Sequence, residues 1–253
     1  MKGCVNFVCK LFFGFYRTEN MNFSKFFVFV AFLLASSGLF AQSESAVLTY
    51  GDFIQLRQSR PVGKQSLSLS EISGSPYLNE KYQTGSVLTK KGLKYVHIPL
   101  RYNIYSDEME FRNKNGNALI ITSPDDIKEI KMGDTVFVYV PYLADKKLHK
   151  GYFQLLNHGA VEGMVRYRVE FQPAQQVGAY TESQPPKFIH YSPLFYVRPA
   201  GQPAVEVHKV KTLINLLGDH KKELQAFVKK ENIKLRRAED LRKILDYYNS
   251  LKN

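Results

Sequence analysis

From Gly85 onward the chain alternates between apolar and polar positions. In the stretch KYVHIPLRYNIYSDEMEF, residues 94–111, Val96, Ile98, Leu100, Tyr102 and Ile104 share one side. Tyr95, His97, Arg101, Asn103 and Tyr105 share the other. That is the two-residue period of a strand. GSVLT turns through KKG into this strand, and EMEFR returns from it with Met109 and Phe111 on the apolar side. Pro99 cannot donate a ladder hydrogen bond, which predicts an edge position or a bulge there. NKNGN reads as a second turn, with Asn115-Gly116 as the residues suited to positive φ, and ALIIT follows. SPDDIKEI fits either a brief helical turn from Ser123 or a strand connection. DTVFVYVPY is nearly continuous in apolar character and predicts a strand buried on both sides. LADKKLHKG reads as a loop. YFQLLNHGAVEGMVRYRVEF reads as a hairpin about Asn157–Gly159, with Val165, Tyr167, Val169 and Phe171 inward. QPAQQVGAYTESQPPK is a polar, proline-containing surface loop, and FIHYSPLFYVRPAGQPAVEV a further hairpin turning at PAGQ.

After Glu206 the period lengthens to that of a helix. Val210, Leu213, Ile214 and Leu217 form one stripe that stops at Gly218. Asp219 is the expected N-cap of a second helix with the stripe Leu224, Phe227 and Val228. A third carries Leu241, Ile244, Leu245 and Tyr248, although Arg236 and Arg237 before it oppose the helix dipole. Helices of about three turns do not stand alone, so they must pack on one another or on the sheet. The expected fold is mainly β (α+β): an antiparallel sheet, sandwich or partly closed barrel, with a small C-terminal helical unit of about three short helices.

The N-terminal region has a different character. MNFSKFFVFVAFLLASSGLFAQ begins with a basic residue, Lys25, and continues with an apolar run from Phe26 to Leu34. Small residues then lead to Ala41. This is the pattern of a secretory signal peptide cleaved near Ala41–Gln42, with Met21 as the true start. Its apolar core is short for a membrane span, so no transmembrane segment is expected after its removal. The expected organisation is therefore a signal region, 1–41, and an N-terminal strand and flexible linker, 42–84. A β domain, 85–207, and the helical unit, 208–253, follow. Both cysteines, Cys4 and Cys9, fall in the leader, which removes disulfides, thiol nucleophiles and Cys-bound zinc from the mature chain. The formal charge of +12 is reduced by three on cleavage. The last 49 residues hold twelve Lys/Arg against seven Asp/Glu. For an exported protein this balance favours solubility and envelope polyanions over nucleic acid.

The stretches SPYLNEKYQTGSVLTKKGLKYVHIPLRYNIYSDEMEF and LINLLGDHKKELQAFVKKENIKL, with EDLRKILDYYN near the end, resemble a group of exported β-rich proteins of Bacteroidetes-type bacteria with no known activity. The resemblance spans much of residues 75–250. It implies export and a β-plus-helix layout, and no catalytic residue.

Candidate chemistry is sparse. The chain has no Gly-x-Ser-x-Gly elbow, Ser-x-x-Lys, His-Glu-x-x-His or phosphate-binding loop. The six histidines (97, 149, 158, 190, 208 and 220) include no pair at local metal-ligand spacing. No catalytic residue, metal or cofactor is therefore expected. Glu108 and Glu110 share a strand face about 7 Å apart, a spacing open to a glycosidase but ordinary for solvated carboxylates. The basic helical region has the size of a nucleic-acid module, a reading that export opposes. Three classes remain. The first is a non-catalytic, periplasmic or extracellular envelope protein that binds an envelope protein, glycan or lipid through its sheet. The second is a barrel-like binder of an apolar small molecule. The third is a hydrolase assembled from distant His and carboxylates. The candidate binding residues are Tyr95, His97, Arg101, Asn103 and Tyr105. Their competing role is a sheet exterior covered by another segment of the chain, with Arg101 paired to Glu108 or Glu110.

Overall fold

Why the alternating segments become one continuous sheet is visible in how they pair. The computed structural model describes residues 47–48, 59–61, 72–174 and 184–252. The leader, the cleavage point at Ala41–Gln42 and both cysteines lie outside the described residues. So do most of the serine-rich stretch and residues 175–183. The strands are β1 (Val47–Leu48), β2 (Ser59–Pro61), β3 (Gln83–Thr89), β4 (Lys94–Asn103), β5 (Glu108–Arg112) and β6 (Ala118–Ile121). After the 3-10 turn Pro124–Asp126 come β7 (Ile127–Met132), β8 (Thr135–Ala144), β9 (Lys147–Leu155), β10 (Val161–Gln172), β11 (Lys187–Pro199) and β12 (Ala204–Glu206). The helices are α1 (Val210–Leu217), α2 (Lys221–Lys230) and α3 (Ala238–Lys252). The protein is mainly β, with a closed five-stranded barrel, further strands and three C-terminal helices.

The barrel is β8 to β12. Neighbours pair antiparallel in sequence order, and β12 closes the ring by pairing parallel with β8, Ala204 opposite Tyr142 and Val205 opposite Leu143. Its interior is filled by Val138, Val140, Tyr142, Phe153, Leu155, Met164, Tyr196 and Ala204. From β8 the sheet continues through β7, β3, β4, β5, β6 and β2. This half wraps a second core that includes Leu100, Tyr102, Met109, Phe111, Phe137 and Tyr152.

One segment differs from its expected form. LADKKLHKG is a tight turn rather than a loop: Asp145 and Lys146 are both left-handed, φ 49° and 62°, and β9 begins directly after them. SPDDIKEI is both of its alternatives, a 3-10 turn followed by β7. Pro99 lies where β4 exchanges β1 for β5 as its second neighbour, so its missing donor breaks no ladder pair on that side.

Residues 72–82, at the end of the expected linker, form a strap across the sheet. Ser73 bridges to Lys187, accepting from the Phe188 N–H at 2.8 Å, and Tyr77 bridges to Asn103. The strap therefore ties the start of β11 to the end of β4.

The helices share a third core with the barrel, in which Leu213, Leu224, Leu241, Ile244, Leu245 and Tyr248 meet Val161 and Val197. Full burial of each such side chain stabilises by about 1.5–3 kcal/mol, which short helices require. Gly218, at φ 82°, ends α1 as expected. The cap of α2 is not Asp219 but His220, left-handed and without a side-chain cap bond. Asp219 instead accepts from Tyr248 Oη at 2.6 Å and Lys252 Nζ at 3.0 Å. Those two partners hold its carboxyl below the usual range. At α3, Asp240 accepts from the backbone N–H of Arg236 and Arg237 at 3.0 and 3.3 Å. This anchors the two arginines whose charge opposes the dipole. The side-chain amide of Asn249 acts like a strand partner: it accepts from the Val161 N–H at 3.1 Å and donates to the Val161 carbonyl at 2.9 Å.

Candidate functional site

The alternation of β4 breaks at His97. Gly85 of β3 stands opposite Ile98 and Ser86 opposite Val96, so His97 is an extra residue, with φ 58°. A bulge of this kind exchanges the faces on its two sides. Tyr95 is accordingly buried in the second core and not on a binding face with Arg101. His97 is exposed at the bulge. Tyr105 lies in the turn beyond β4, half exposed, with its ring 5.4 Å from Phe188 and 6.4 Å from Phe171. The five candidate residues therefore do not form one surface.

Arg101 and Asn103 remain together, but the chain itself occupies them. Arg101 donates to Glu110 Oε2 from Nη2 at 2.7 Å and from Nε at 3.3 Å. Tyr82 donates to the same oxygen at 3.1 Å, and Asn103 to Oε1 at 3.4 Å. The strap covers this pair, with the Tyr77 ring 3.6 Å and the Tyr82 ring 4.4 Å from the guanidinium carbon. Burial, then the charge of Glu110, pushes the Tyr77 hydroxyl up to about 12. Glu110 is fully buried. It is the counter-ion of an arginine, which removes it from the carboxylate pair with Glu108 that a glycosidase would need.

A second arginine–carboxylate pair lies where β9 and β10 part. These strands pair only at Leu155–Met164 and Gln154–Val165, while β9 stays on β8 and β10 stays on β11. The side chain of Asp107, from the β4–β5 turn, fills the fork. It accepts from Tyr102 Oη at 2.7 Å, the Tyr152 N–H at 3.3 Å and Arg166 Nη2 at 3.2 Å. Burial opposes the charge on Arg166, but Asp107, Tyr142 and Tyr102 together outweigh it and raise the guanidinium's pKa. Gly151 makes the approach possible: a Cβ there would lie 2.2 Å from Arg166 Nη1 and 2.6 Å from Asp107 Oδ2. Nothing in the local sequence marked Asp107, Arg166 or Gly151, because their contacts span 45 and 59 residues.

Below the fork, residues 167–172 of β10 have β11 on one side and no strand partner on the other among the described residues. An open groove of about 360 Å³ runs there, lined by Ile104, Tyr191 and five consecutive residues, Arg166 to Glu170. Consecutive residues from both faces of a strand line a groove only along the strand's edge. Arg168 and Tyr191 are exposed beside it. Among the described residues, no group of three or more His, Cys, Asp or Glu could hold a metal ion. No helix among them is long and apolar enough to cross a membrane. No family model matches the chain, and no curated protein and no solved structure matches it.

Proposed function

We propose that this chain is an exported, non-catalytic protein of the cell envelope. It binds another envelope component through the surface of its sheet, at the free edge of β10. The observation that carries this reading is the stretch 167–172, which has no strand partner on one side among the described residues and lies beside an open groove. An exposed strand edge offers main-chain donors and acceptors to an extended segment of a partner. Export is supported by the leader pattern that ends at Ala41.

The other two classes receive less support. A small-molecule binder would need room inside the barrel, and eight side chains fill it. A hydrolase would need a free carboxylate beside a histidine, whereas Asp107 and Glu110 are each held by an arginine. The test is hydrogen exchange on the protein incubated with solubilised envelope fractions. Amides of 167–172 should become protected once a partner is captured. Capture that leaves these amides unprotected would refute the placement, and a chain recovered unprocessed from the cytoplasm would refute the envelope role.

A further inference from the structure

The β8–β9 hairpin carries an apolar feature that the fold does not use. On one face of β8, Phe137 is fully buried and Tyr139 half-buried. The same face continues through Pro141 to Leu143, which is 41% exposed. On β9 the facing positions are Gln154, Tyr152, Lys150 and Leu148, and Leu148 is 62% exposed. Leu143 and Leu148 are directly opposite in register. A pair of touching-distance aliphatic positions thus extends past the end of the second core. The turn beside them holds Asp145, Lys146 and Lys147, all exposed, and neither lysine has an ion pair among the described residues. Lys150, by contrast, is bound to Asp125 at 2.7 Å. Because β12 runs parallel to β8, the chain leaves β12 at the same end of the barrel as this turn, and exposed Lys209 follows three residues later.

Single exposed leucines are ordinary. An opposed pair at a hairpin tip, with cations on the turn, combines what interfacial binding needs. Aliphatic side chains enter the headgroup–acyl boundary, and lysines reach lipid phosphates from flexible apolar stems. We propose that this tip seats the protein on an anionic lipid surface, with Leu143 and Leu148 in the interface and Lys146 and Lys147 on the phosphates. The site is separate from the β10 edge and does not depend on it. Asp145 shares the apex and opposes the contact, so the attachment is weak and reversible.

The test uses phosphatidylcholine vesicles with and without phosphatidylglycerol. The chain contains no Trp, so Leu148→Trp reports on the tip alone. Its emission should shift to the blue on vesicles containing phosphatidylglycerol, and less so on pure phosphatidylcholine. In sedimentation, Lys146→Gln with Lys147→Gln should lower partitioning by about tenfold or more, and Asp145→Asn should raise it by about fivefold. Leu143→Asn with Leu148→Asn should weaken it at least as much as the lysine pair. These positions are exposed, so circular dichroism melts should match the parent. The apolar run 26–34 can itself hold lipid in an unprocessed chain, which makes the tryptophan the deciding probe. Unshifted emission on anionic vesicles overturns the proposal. So does a shift that follows protein concentration without vesicles, which would make the tip a surface for self-association.

Discussion

Replacing Arg101 with Met should be among the most damaging conservative changes in the sheet. Met keeps an unbranched stem but removes the guanidinium that lies over Tyr77 and Tyr82. Glu110 is then left fully buried with neutral donors, Tyr82 and Asn103 among them. Removing one partner of a buried ion pair costs about 3–5 kcal/mol. The Arg101 side chain is 16% exposed, which places the electrostatic cost near the lower end, about 3 kcal/mol. Loss of cation–π contact with the two rings adds about 0.5–1 kcal/mol for each. Glu110→Leu should be milder, because the abandoned guanidinium can turn toward solvent while a buried carboxylate cannot. The double variant Arg101→Met/Glu110→Leu should regain much of the loss. It leaves the Tyr82 and Asn103 donors unpaired, at about 1 kcal/mol each. Urea denaturation followed by far-UV circular dichroism, with equal slopes across the four proteins, yields the coupling energy. A single Arg101→Met cost below about 1 kcal/mol, or a double variant as unstable as the sum of its parts, would refute the account.

Further outcomes follow from the same geometry. Asn249→Ala should cost about 1–3 kcal/mol by leaving the N–H of Val161 unpartnered, while its carbonyl keeps Asn157 Nδ2 as a donor at 3.3 Å, and should speed exchange of the Val161 amide; an unchanged amide would show that the latch is dispensable. Gly151→Ala should cost about 1–3 kcal/mol by forcing Arg166 off Asp107, and the penalty should shrink in an Arg166→Gln background. The folded-state pKa of Tyr77 is raised from 10.0 to about 12. Its stabilising effect is therefore complete below pH 10 and lost as pH rises through about 12, and Tyr77→Phe should flatten this alkaline loss in a pH series of melts.

Strand positions, hairpins and helices were legible wherever one face of an element is buried, because burial imposes the period. The α1 stripe ending at Gly218 is an example, while β8, with Phe137 in one core and Val138, Val140 and Tyr142 in another, was legible as a continuous apolar run. That Arg101 pairs with Glu108 or Glu110 was legible too, since strands joined by a short turn place such positions side by side; the register selects Glu110. What escaped depends on a distant partner. The bulge at His97 exists because Gly85 and Ser86 skip a residue of β4, and no property of KYVHIPLRYN reveals that. Tyr95 therefore changed faces. Asp219 looked like a cap from its local position, but Tyr248 and Lys252, about thirty residues away, compete for its oxygens. The role of Asp107 as a plug required β9 and β10 to part, which is a property of three strands together.

Polarity along β4 does not by itself identify a partner surface. A strand face rich in Arg, Asn and Tyr can meet a second molecule or another stretch of its own chain, and both call for the same side chains. The backbone separates the two cases. Around Asn103, main-chain groups are taken by the strap: Leu78 donates to the Tyr102 carbonyl at 3.0 Å and Ile104 donates to the Pro76 carbonyl at 2.8 Å. Side chains there close an internal contact, and Arg101 serves a buried carboxylate. Along β10 from 167 to 172 no strand pairs on one side among the described residues, and Arg168 and Tyr191 beside it are exposed. An extended partner gains most where donors and acceptors are still unpaired, because it need not displace existing bonds. The proposed binding surface is therefore on β10, although the more suggestive sequence is on β4. Substitutions that loosen the strap, such as Tyr77→Ala, should destabilise the fold without strengthening capture at the β10 edge.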